Sequence, residues 1–62
     1  MSINERVLAV LRTAESPMRI FDIEFFTGLP RVQVKNAVMR LKHSQQIRRV
    51  RRYPSEYVVR GA

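Results

Sequence analysis

The stretch that decides the fold runs Thr27-Gly28-Leu29-Pro30-Arg31-Val32-Gln33-Val34-Lys35-Asn36-Ala37-Val38-Met39-Arg40-Leu41. Val34, Ala37, Val38 and Leu41 repeat at the i, i+3, i+4, i+7 spacing of one narrow apolar stripe on an α-helix. Pro30 suits the first helical turn, where its missing amide hydrogen costs nothing. A helix is therefore expected over about residues 30–45. Its far face carries Val32, Gln33, Lys35, Asn36, Met39, Arg40 and His43. Gly28 is the natural left-handed residue just past the end of a preceding helix. Two helices joined by a tight turn are the expectation, the second presenting a polar face outward.

Working upstream, that preceding helix should run from about Phe21 to Thr27. Ile20 and Ile23 are its candidate core positions, while Phe21, Phe25 and Phe26 cover a second side. Two readings stand for the phenylalanines: they close a core too small for aliphatics alone, or Phe21 and Phe25 form a weak homodimer or partner surface. Met18-Arg19-Ile20 is a candidate short strand. A first helix is expected over about Ile3 to Glu15, because Ser2 and Glu5 have the spacing of a capping box. Ile3, Val7, Val10, Leu11 and Ala14 would share its core face, and Ser16-Pro17 ends it. Downstream, Ile47 to Arg52 and Tyr57 to Arg60 read as a β-hairpin. Its turn is expected at Tyr53-Pro54-Ser55-Glu56, with Pro54 in second place. Only Val50 is apolar between Arg48 and Arg52, so the ribbon should be thinly buried.

Charge sharpens this picture. The 62 residues hold 12 Lys and Arg against 5 Asp and Glu, a net charge of +7. Residues 1–30 carry Arg6, Arg12 and Arg19 against Glu5, Glu15, Asp22 and Glu24, whereas residues 31–62 carry nine basic side chains against Glu56 alone. Basic charge gathered in one half of a small domain suggests a surface for a polyanion. There is no cysteine, hence no disulfide or thiolate zinc site. His43 has no nucleophilic partner, Ser44 beside it cannot face it on a helix, the carboxylates lack metal-ligand spacing, and Gly28 and Gly61 form no phosphate loop. No enzyme, cofactor, metal site or small-molecule ligand is expected. No apolar run approaches the roughly 18 residues that span a membrane, and Met1-Ser2-Ile3-Asn4-Glu5 does not resemble a secretory signal. A single cytoplasmic domain over residues 1–62 is the expectation.

The order helix, short strand, helix, glycine turn, helix, basic hairpin resembles the winged helix-turn-helix family of DNA-binding regulators. Thr27-Gly28-Leu29-Pro30-Arg31, then Val34, Val38 and Leu41, then Ile47-Arg48-Arg49-Val50 carry the resemblance, which extends over roughly residues 3–60. Size and layout look most like small single-domain regulators of bacterial operons, plasmids and phages. Glu24 departs from the family's usual small residue, and Pro30 from its usual Ser or Thr cap. The resemblance implies an α+β fold, with three helices followed by a basic hairpin wing, that binds double-stranded DNA sequence-specifically.

A major groove about 12 Å wide admits one helix, whose side chains read base edges. Gln33 and Asn36 are candidates for adenine, Arg31 and Arg40 for guanine, Val32 for a thymine methyl, with Lys35 beside them. Arg48, Arg49, Arg51 and Arg52 on the wing are candidates for phosphate or minor-groove contacts. The alternatives are a winged-helix protein-interaction module using Val32, Met39 and the phenylalanines, and a non-specific nucleic-acid binder. RNA binding would call for stacking aromatics on the sheet, for which only Tyr53 and Tyr57 are candidates.

Overall fold

Ser2 and Glu5 close the reciprocal box their spacing predicts. Ser2 Oγ accepts from the Glu5 N–H at 3.1 Å, and the Ser2 N–H donates to Glu5 Oε1 at 2.9 Å. That backbone donor, with the Ser2 hydroxyl, holds the Glu5 carboxyl below its ordinary pKa. Helix α1 (Ile3–Thr13) follows in this computed structural model, which describes residues 1–60; Gly61 and Ala62 lie outside the described residues. The helix stops two residues short of the expected Glu15, because Ala14 is already extended at ψ 135°. The chain must straighten there to carry Met18 to the hairpin. Val7, Leu8 and Leu11 are buried, while Ile3, Val10 and Ala14 sit half-buried at the edge. The buried face is thus turned toward Leu8, since α1 packs against α3 as well as α2.

The expected strand before the second helix is a single antiparallel bridge. Met18 donates its N–H to the Tyr57 carbonyl at 3.1 Å and accepts from the Tyr57 N–H at 2.8 Å. Helix α2 (Ile20–Thr27) ends at Gly28, whose φ of 72° is the left-handed value that a Cβ disfavours. Ile23 is fully buried and Ile20 half-buried. The three phenylalanines do not close the core: Phe21 is 65%, Phe25 77% and Phe26 65% exposed. The buried cluster takes Met18 and Tyr57 instead and includes none of the three phenylalanines.

Helix α3 (Arg31–His43) begins one residue later than expected and ends two earlier, with Pro30 as its N-cap and Ser44 as its C-cap. The end is a Schellman motif: the Gln46 N–H donates to the Leu41 carbonyl at 3.0 Å and the Gln45 N–H to that of Lys42 at 3.1 Å. Gln45 takes the left-handed conformation there, φ 61°, which glycine usually supplies. The turn sends Ile47 back into the core, where it is 1% exposed.

Strands β1 (Ile47–Arg52) and β2 (Ser55–Val59) form the hairpin. Its turn lies at Tyr53-Pro54, because Arg52 pairs directly with Ser55. Pro54 is therefore third rather than second in the turn, and Ser55 and Glu56 belong to the strand. The result is an α+β architecture of three helices and a two-stranded antiparallel sheet, compatible with a winged arrangement. One cluster joins all of it: Val7, Leu8 and Leu11 of α1, Ile23 of α2, Val34, Ala37, Val38 and Leu41 of α3, with Met18, Ile47 and Tyr57.

Candidate nucleic-acid interface

The apolar stripe of α3 is entirely buried, so its remaining circumference is what the domain presents. At 3.6 residues per turn, Val32, Asn36, Met39 and His43 lie within about 30° of the direction opposite that stripe. All four are exposed. The polar residues divide to either side of this ridge. Gln33 and Arg40 fall on the α1 flank, where Arg40 shares a groove with Asn4 and Glu5 of α1. Arg31, Lys35 and Lys42 fall on the other flank. There Lys35, Met39 and Lys42 line a groove against the hairpin, together with Ser55 and Tyr57. Lys42 was not among the residues singled out from sequence. Its position seven after Lys35, two turns along the same side, is the signal that would have found it.

The hairpin's arginines are divided by an irregularity. Arg49 pairs with Tyr57 and Arg51 with Glu56, leaving Val50 as the extra residue of a β-bulge. Neighbours along a strand alternate faces, and the bulge resets the alternation. Arg49 and Arg52, opposite Tyr57 and Ser55, therefore share the face that turns toward Lys35 and Lys42. Arg48 and Arg51, opposite Val58 and Glu56, share the other. All four side chains are exposed.

Electrostatics follows from who is paired. Among the described residues the ion pairs are Arg19 with Asp22 (3.9 Å) and Arg31 with Glu24 (2.9 Å). Arg31 is thus the one basic side chain of residues 31–60 tied to a carboxylate. Glu24, which departs from the small residue of the resembling family, reaches across the turn to Arg31.

The turn itself is braced from a distance. Arg6 of α1 donates an Nη hydrogen to the Thr27 carbonyl at 2.7 Å. Thr27 Oγ1 donates to the Ile23 carbonyl at 2.7 Å and accepts from the Leu29 N–H at 3.2 Å. The first of these bonds satisfies a carbonyl that the end of α2 otherwise leaves unpaired, and the Thr27 hydroxyl ties the Leu29 N–H of the turn back to α2. Arg6 counted only as charge in the sequence, since nothing local marks a partner 21 residues away.

Of the sheet aromatics, Tyr57 is in the core and Tyr53 is 84% exposed at the hairpin tip. No aromatic pair is left on the sheet surface for stacking. Among the described residues no cluster of three or more His, Asp or Glu could hold a metal ion, and no helix is long and apolar enough to cross a membrane. No protein-family model, curated protein or solved structure matches the chain.

Proposed function

We propose that this chain is a winged helix-turn-helix protein that binds double-stranded DNA as a small cytoplasmic, nucleoid-associated regulator. In this reading α3 enters the major groove, and the hairpin is the wing, lying on the backbone or in the minor groove. The observation that carries it is electrostatic. Of the nine basic side chains in residues 31–60, Arg31 alone has a carboxylate partner among the described residues. The others remain free to neutralise phosphates and release counterions. Gln33, Asn36, Arg40 and the apolar Val32 on α3 would read base edges, with Arg31 and Lys35 at the flank. On the wing, Arg49 and Arg52, on the face turned toward Lys35 and Lys42, would supply affinity that depends little on sequence, with Arg48 and Arg51 on the other face adding less.

Selection of bound sequences from a random duplex pool tests this directly. Recovery of one enriched motif supports a specific regulator, whereas retention without enrichment leaves non-specific binding. Absence of duplex binding at low salt refutes the proposal. It would favour a protein-interaction module, which the exposed Val32 and Met39 at the centre of the α3 face would suit.

A second copy of the chain is the partner proposed for Phe21 and Phe25. Phe21 and Phe25, 65% and 77% exposed, offer roughly 200–350 Å² per copy at about 150–250 Å² per ring. That is below the roughly 800 Å² per partner of a standard interface, so the association is weak. Asp22 and Glu24 on the same helix are already paired within the chain, so two α2 faces can meet without opposing unpaired carboxylates.

A further inference from the structure

The ion pair at the α2–α3 turn is lopsided. Glu24 Oε2 accepts from Arg31 Nε at 2.9 Å, which engages the guanidinium from its side. Neither Nη group donates a hydrogen bond to any of the described residues. Glu24 is the packed partner, its side chain 23% exposed, while the Arg31 side chain is 64% exposed. The anchor is thus held against the fold and the fork stands in solvent.

A carboxylate beside a surface that binds a polyanion opposes that binding through its charge. Glu24 is therefore unfavourable for duplex affinity unless it contributes something else. An unrestrained arginine loses much rotamer freedom on ordering, and a pre-ordered fork loses less per hydrogen bond formed.

Resting on the duplex-binding reading above, we infer that Glu24 is a positioning residue. It holds Arg31 by Nε, so that both Nη groups project end-on as a two-pronged donor to paired acceptors on the nucleic acid. Two acceptor pairs have that geometry: O6 and N7 of a guanine, and the oxygens of a phosphate.

The sign of one substitution separates positioning from charge. Glu24→Ala raises the net charge, so charge alone predicts tighter duplex binding; positioning predicts binding weakened roughly three- to tenfold. Glu15→Ala, which removes the same charge from an exposed site with no ion pair among the described residues, should bind as well as the parent or tighter. Arg31→Lys keeps the charge and loses the fork. It should weaken binding about as much as Glu24→Ala, and adding Glu24→Ala to it should cost little more. Glu24→Gln, nearly isosteric, should fall between the parent and Glu24→Ala, and provides the comparison should the alanine variant unfold.

Repeating the duplex selection with Arg31→Lys identifies the acceptor. Loss of a guanine preference at one position assigns the base edge, and a uniform loss assigns phosphate. If the folded Glu24→Ala and Glu24→Gln variants bind duplex as tightly as the parent or tighter, Glu24 positions nothing, while the duplex-binding reading stands. A parent protein that binds no duplex at low salt overturns both.

Discussion

The bulge at Val50 divides four neighbouring arginines into two pairs, and the pairs should differ in what they contribute. Arg49 and Arg52 stand opposite Tyr57 and Ser55, on the hairpin face that shares a groove with Lys35 and Lys42. Arg48 and Arg51 stand opposite Val58 and Glu56 on the other face. The perturbations are two double variants, Arg49→Ala with Arg52→Ala and Arg48→Ala with Arg51→Ala, which lower the net charge equally. If Lys35, Lys42, Arg49 and Arg52 each meet a phosphate, log affinity falls with log salt at a slope of about −3.6, from about 0.9 per phosphate. Between 50 and 200 mM salt, affinity then drops about 150-fold. Removing Arg49 and Arg52 should bring the slope to about −1.8 and that drop to about 12-fold. Removing Arg48 and Arg51 should leave the slope close to that of the parent. Anisotropy titrations on a random duplex at four or more salt concentrations read the slopes, with circular dichroism confirming the fold. Equal slopes for the two variants, or a larger loss from Arg48 and Arg51, would refute the division of the wing into two faces.

Three further outcomes are expected. Asn36 lies near the centre of the exposed α3 face, so Asn36→Ala should cost roughly 1–3 kcal/mol on the selected site and much less on random duplex; equal losses on both would remove it as a reader of bases. Gln45→Gly relieves a left-handed residue with φ 61° at the end of α3. It should stabilise the domain by roughly 0.5–1 kcal/mol and raise the melting temperature by roughly 2–8 °C, measured by thermal circular dichroism; an unchanged or lower melting point contradicts this. Phe25, 77% exposed, contributes little to the core, so Phe25→Ser should leave the fold intact while abolishing a concentration-dependent mass shift in sedimentation. A parent protein that is monomeric at every concentration, free and on duplex, counts against the proposed α2 contact.

Much of this domain is legible locally because its signals act within one or two turns of chain. The Ser2–Glu5 box, the left-handed stop at Gly28 and the Val34-Ala37-Val38-Leu41 stripe each follow from backbone geometry over three to seven residues. Each has its expected place in the structure. The outward set on α3 follows from the same periodicity, since a narrow buried stripe leaves only one face to present.

Periodicity is silent where a helix is apolar all round. Helix α2 could have buried its phenylalanines or shown them. The buried cluster instead includes Met18 and Tyr57, which meet through a backbone bridge nearly 40 residues apart in sequence. Distance in sequence likewise hid the Arg6 brace on Thr27 and the hold of Glu24 on Arg31, because side-chain charge names no partner until packing brings one near. The bulge at Val50 is a matter of register between two strands, and it decides which arginines face α3. Local geometry thus determined which elements form and which α3 residues lie outward. The tertiary structure decided which charges are paired, which aromatics are exposed and which way the arginines turn, because those depend on contacts that exist only once the elements have met.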